Sequence, residues 1–142
     1  MSTNARSKTE LGLRISAFLL GIVVLIWLSV EDKNTLWVVI VSGVICVWAG
    51  IWVLVRPVEG GIRIISRHSL IGIAAGLAIA PLAILLMALK SGIHGHGTPE
   101  FSIPQMQAVL SRTPYFALSG LLIGLGTGLW RSVREDPEMK AG

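Results

Sequence analysis

Residues 70–89 read LIGIAAGLAIAPLAILLMAL, and none of these 20 positions holds Asp, Glu, Lys, Arg or His. A helix rises about 1.5 Å per residue, so about 20 helical residues cross the hydrocarbon layer of a bilayer, which is roughly 30 Å thick. A buried helix of a water-soluble protein keeps a polar stripe at the helical period, whereas this stretch is apolar all round. The sequence therefore predicts a membrane-spanning helix.

Three further runs, at 15–30, 36–55 and 115–130, also lack charged residues and histidine. The first and the last of them are shorter, and their flanking residues extend them to the length of a span. We therefore predict an all-α, polytopic integral membrane protein. It forms one four-helix domain over residues 1–142, with spans at about 12–30, 36–55, 70–89 and 114–131.

The first run follows a basic N-terminal segment, as the apolar core of a secretory signal peptide does. However, the residues after Val30 are Glu31-Asp32-Lys33-Asn34, and they offer no small-residue cleavage site. The run is therefore predicted to remain in the protein as its first span.

Composition excludes several classes of protein. Charged residues make up 14% of the chain, against about 25% in average soluble domains, and the mean hydropathy is +0.73. The single cysteine, Cys46, cannot form an internal disulfide. These values exclude a disordered or collagen-like chain and a small secreted domain held together by disulfides.

Lysine and arginine concentrate on one side of the predicted spans. Lys33, Lys90 and Arg112 fall in connections on one side, and the remaining nine of the 12 basic residues lie in the two tails and the loop 56–69. By the positive-inside rule, both termini and the loop 56–69 are cytoplasmic and the loop 90–113 is outside. We expect a protein of the bacterial inner (plasma) membrane, and topology explains the net charge of +4 without a nucleic-acid partner.

Small residues recur at four-residue spacing in every predicted span. Such rows let helix backbones approach closely in lipid, where the hydrophobic effect does not drive helices together. The strongest rows are typical of a glycine zipper, and we predict helix packing at Gly72, Gly76, Gly120, Gly124 and Gly128. Weaker rows are Ser42, Cys46 and Gly50 in the second span and Ala17 and Gly21 in the first. The packing partner is a helix of the same chain or of another chain, and Cys46 is predicted to be a small packing residue.

The outer loop contains the residues with the most chemical character. His94 and His96 project to the same side if the chain is extended, and with Glu100 they form a candidate site for zinc or copper. Glycines around both histidines leave the loop flexible, so metal binding would have to order it. A plain turn near the membrane surface is the alternative. His68 falls on the other side of the membrane in this topology and cannot join these ligands.

Two further features concern helix geometry. Ser102 is a candidate N-cap for a short amphipathic helix in the outer loop, with Ile103, Met106 and Leu110 on one face. Pro81, in the middle of the third span, is expected to kink that helix.

Function is predicted mainly from where ionisable and potentially catalytic residues lie relative to the predicted spans. Transporters usually hold ionisable residues inside the membrane, and the four runs have none. No nucleophile with a base, nor a paired-carboxylate site, is evident, so no catalytic residue or cofactor is predicted. We therefore expect a non-catalytic accessory or scaffold subunit of a larger membrane complex, with the bilayer, other membrane subunits or a second copy of the chain as partners. The alternatives are a small oligomeric transporter or channel component, and outer-face metal binding by the histidine loop.

Overall fold

The computed structural model describes residues 3–30, 34–55, 61–93 and 101–135. This part of the chain is helical and contains no β-strand. Its helices are α1 (Thr3–Ser29), α2 (Thr35–Leu54), α3 (Gly61–Ile93), α4 (Ile103–Leu110) and α5 (Thr113–Glu135).

Four segments are long and apolar enough to cross a membrane, which confirms the predicted all-helical chain with four candidate spans. These segments are Thr9–Ser29, Thr35–Leu54, Ile62–Ile93 and Ile103–Arg134. The chain divides into two compact units, Met1–Lys33 and Asn34–Gly142. Helix α1 is the described element of the first unit, and the second unit contains α2 to α5.

Helix α3 is longer at both ends than the apolar run that predicts it. It begins at Gly61, so most of the segment interpreted as a cytoplasmic loop is helical, and it ends at Ile93 rather than at residue 89. Charged residues do not stop a helix, and α3 accordingly includes Arg63, Arg67 and Lys90. Helix α3 continues through Pro81.

Helices α3 and α5 pack backbone against backbone in an antiparallel pair. Gly72 lies against Gly120, and Gly76 lies against Phe116. One turn further, a Cβ built on Gly124 would lie 2.9 Å from Ser69 Cα, and a Cβ built on Gly128 would lie 2.9 Å from Ile65 Cα. Matching four-residue steps on both helices bring the backbones together, as small residues permit in a membrane. We call this contact the glycine interface; it comprises Gly72, Gly76, Gly120, Gly124 and Gly128.

Helix α2 packs on α3 through its own row of small residues. Ser42 and Cys46 are buried, and a Cβ built on Gly50 would lie 3.4 Å from Ile71 Cγ2, an ordinary van der Waals distance. The hydroxyl of Ser42 donates to the Val38 carbonyl oxygen of its own helix at 2.8 Å, so its burial leaves no unmet donor.

The short helix α4 contacts α3 and is stabilised at its N-terminus by Gln105. Gln105 Oε1 accepts hydrogen bonds from the Ser102 backbone N–H at 2.7 Å and from its hydroxyl at 3.1 Å. Phe101 and Val109 are buried, whereas Ile103 is exposed. The two hydrogen bonds to Gln105 thereby fix the beginning of α4.

Candidate functional site

An apolar cavity of about 410 Å³ lies among α2, α3 and α5. It exists because the facing helix surfaces carry glycine and alanine where larger side chains would fill the space. Its lining includes Gly50, Ala75 and Gly124, and the polar side chains among its described lining residues are Cys46, His68, Ser119 and Thr127. Ligand pockets typically have volumes of about 300 to 1,000 Å³ and mostly apolar walls with a few polar groups. The cavity therefore has the size and chemistry of a binding site for an apolar molecule.

His68 is the polar group that distinguishes this cavity. Its side chain is 6% exposed, and its Nδ1 lies 2.7 Å from the Ile64 carbonyl oxygen. A carbonyl oxygen only accepts hydrogen bonds, so Nδ1 carries the proton and donates it to that bond. In the neutral ring, Nε2 is then a hydrogen-bond acceptor. His68 therefore offers an acceptor within apolar surroundings.

Two arginines donate hydrogen bonds to the C-terminal end of α2, which is the end nearest to His68. Arg67 Nη2 donates to the Val53 carbonyl oxygen at 2.5 Å, and Arg131 Nη1 donates to the Leu54 carbonyl oxygen at 3.4 Å. The last carbonyl groups of a helix lack partners within the helix and carry the negative end of its dipole, so cations stabilise them. Leu54 also lines the cavity, so the end of α2 that receives these two hydrogen bonds borders the cavity.

The other polar lining groups are occupied or small. The Thr127 hydroxyl donates to its own helix, at 2.8 Å from the Ile123 carbonyl oxygen. Cys46 is buried in the row that the sequence predicts for packing. Ser119, the remaining polar lining residue, is at an exposed position of α5. His68 is therefore the buried lining side chain with the most distinctive hydrogen-bonding capacity.

The structure brings the five predicted packing glycines together in the glycine interface. Gly21 of α1 has no heavy atom within 4 Å of an ideal Cβ. The candidate metal ligands His94, His96 and Glu100 lie outside the described residues. Within residues 3–30, 34–55, 61–93 and 101–135, no group of three His, Cys, Asp or Glu side chains is arranged to hold a metal ion.

Sequence reasoning missed the cavity, and it also missed two ionisable residues inside α3. His68 and Lys90 were assigned to connections, but both are helical and buried, and Lys90 is 0% exposed. A signal for His68 was present, since His68, Gly72 and Gly76 form one row at four-residue spacing. That row faces α5, where the His68 backbone contacts Gly124.

The arrangement can bind an elongated apolar molecule and make one hydrogen bond to it. The lining runs along α3 from His68 to Ile79, which corresponds to about 16 Å at about 1.5 Å per residue. Comparison of the chain with models of known families, with characterised proteins and with solved structures found no match.

Proposed function

We propose that this protein is a non-catalytic accessory or scaffold subunit of a larger integral membrane complex. The observation that carries the proposal is the glycine interface, where α3 and α5 lie backbone to backbone at successive turns. Transport by alternating access needs parts that rock or slide against each other. An interface of this kind cannot slide without carbonyl groups meeting Cα atoms, so it suits a rigid scaffold.

The face of α5 opposite α3 is the surface that we propose for the partner helix. Leu118, Leu122 and Leu129 are exposed on this face, and a Cβ built on Gly126 would meet no atom within 4 Å. A small residue between leucines lets a second helix approach closely. The proposed partner is therefore a transmembrane helix of another subunit.

Affinity purification tests this proposal. The protein carries a C-terminal tag and a photo-crosslinking residue in place of Leu122, and is extracted in mild detergent. We expect stoichiometric partner chains by mass spectrometry and crosslinks from position 122. A crosslinker in place of Leu85, an exposed residue of α3, is the matched control and should give no specific adduct.

Two outcomes would contradict the proposal. Recovery as a lone monomer in mild detergent would exclude a stable complex. A homo-oligomer that conducts ions or small molecules in proteoliposomes would favour the oligomeric transporter or channel instead, because a scaffold alone conducts nothing.

We further propose that both termini are cytoplasmic, in the bacterial inner (plasma) membrane. Arg67 and Arg131 support the part of this topology that concerns α3 and α5, because both donate to the same end of α2 and thereby favour one side for the beginning of α3 and the end of α5. Single cysteines in a Cys46→Ala background test it. A membrane-impermeant maleimide should label Ser111→Cys in intact cells and Glu138→Cys only after permeabilisation. The reverse pattern would overturn this orientation.

A further inference from the structure

We propose that the cavity among α2, α3 and α5 binds a membrane-soluble phenol or quinol, whose hydroxyl group donates a hydrogen bond to His68 Nε2. This role is separate from the scaffold function, because the proposed partner surface is on the opposite face of α5.

The first argument is the position of His68. An imidazole that is 6% exposed needs partners for both nitrogens, since an unmet polar group in apolar surroundings is costly. In the described part of the chain, the Ile64 carbonyl oxygen is its hydrogen-bond partner, and that bond uses Nδ1. Nε2 is the nitrogen left for a ligand.

The second argument is the tautomer. With the proton held on Nδ1, Nε2 accepts and does not donate. The ligand must therefore supply a hydrogen-bond donor. A hydroxyl group fits this requirement, whereas a ketone, a quinone or an ether does not.

The third argument is the shape of the cavity. Polar groups concentrate near the end marked by His68, Leu54 and Thr127, where the two arginines cap α2. Toward Ile79 and Phe116 the described lining is apolar apart from Cys46 and Ser119, and of these two Ser119 is at an exposed position of α5. A molecule with one polar head and an apolar tail matches this gradient, with its head at His68.

Equilibrium binding of two probes tests the inference. The probes are para-nonylphenol and its methyl ether, para-nonylanisole. The hydroxyl group of the phenol can donate a hydrogen bond, whereas the ether can only accept one. The protein is held at about pH 8 in nanodiscs of phosphatidylcholine and phosphatidylglycerol, and binding to empty nanodiscs is subtracted. We expect the phenol to bind about fivefold or more tightly than the ether, the range expected for one hydrogen bond.

Three variants make the test specific. His68→Phe keeps an aromatic ring without the acceptor, so it should lower the affinity for the phenol to that of the ether. Ala75→Phe fills the cavity and should weaken both probes at least about tenfold. Ala78→Phe adds the same side chain at an exposed position of α3 and should change neither affinity.

Equal affinities of the unmodified protein for the two probes would overturn the inference, because they would show that the cavity accepts any apolar chain regardless of a hydroxyl group. Absence of binding, or unchanged affinities in Ala75→Phe, would overturn it as well. If His68→Phe does not fold, two measurements still test the inference. They are the ratio of the affinities of the unmodified protein for the two probes, and the comparison of the affinities of Ala75→Phe and Ala78→Phe.

Discussion

Gly72 and Gly120 touch backbone to backbone where α3 crosses α5, and a Cβ on either residue would collide with the carbonyl oxygen of the other. A carbonyl group fixed in a helix cannot move aside as a flexible side chain can. The α3–α5 pair can therefore pack this closely only if neither Gly72 nor Gly120 carries a side-chain methyl group.

We predict that Gly120→Ala lowers the free energy of unfolding by about 2 kcal/mol, because the helices must separate to admit the methyl group. Gly126→Ala is the matched control on the same helix, since its Cβ would meet nothing within 4 Å. Because alanine has a higher helix propensity than glycine, Gly126→Ala should raise the free energy of unfolding by up to about 1 kcal/mol. Unfolding in sodium dodecyl sulfate, followed by circular dichroism, measures both. Similar values for the two variants would contradict close packing at Gly120.

The arginine caps of α2 give a second prediction. Arg131→Gln removes a charged donor from the Leu54 carbonyl oxygen, and Arg67→Gln does the same at Val53. Each substitution should lower the free energy of unfolding by about 1 kcal/mol, a value that allows for partial exposure of the arginine side chains. The same unfolding assay measures the loss. Arg63→Gln, at an exposed position of α3, serves as control, and an equal loss there would point to a general effect of charge.

The N-terminus of α4 gives a third prediction. Gln105→Ala removes the acceptor of the Ser102 N–H and hydroxyl groups, and this should destabilise α4 by about 0.5 to 1 kcal/mol. Hydrogen exchange should become faster in α4 and stay unchanged in the glycine interface. Gln107→Ala, whose side chain is exposed in the same helix, should leave exchange in α4 slow.

Cys46 gives a fourth prediction, because its side chain is only 7% exposed. N-ethylmaleimide should modify it at least about tenfold more slowly than a cysteine at Val44 in a Cys46→Ala background, since a buried thiol reacts slowly. Val44 is 48% exposed on the same helix. Both rates are measured by mass spectrometry in mild detergent. Equal rates would show that reagents reach the buried face of α2 freely.

The sequence reveals the spanning helices because of what a bilayer requires. A helix in lipid must be apolar on all sides, so 70–89 and 36–55 are recognisable without any knowledge of their neighbours. The spacing of Gly72 and Gly76 likewise identifies the face of α3 that the structure places against α5.

The ends of α3 and the cavity were harder to predict. Charge was used to separate spans from loops, so His68 and Lys90 were placed outside the helix that contains them. Helix ends depend on backbone-breaking residues, and burial of a charged side chain depends on tertiary neighbours. The cavity itself depends on how far α2 stands from α5, a distance that no sequence pattern in one helix encodes.

The hydrogen bond from Arg131 to the Leu54 carbonyl oxygen joins residues 77 positions apart in the chain. During synthesis, the end of α2 enters the membrane long before the last helix leaves the ribosome. The Leu54 carbonyl oxygen must therefore bond to water or lipid headgroups until α5 is made, and the glycine interface also requires α5. The α3–α5 contact and the Arg131 bond to α2 thus form only after α5 has been synthesised, and a truncation before α5 would remove both.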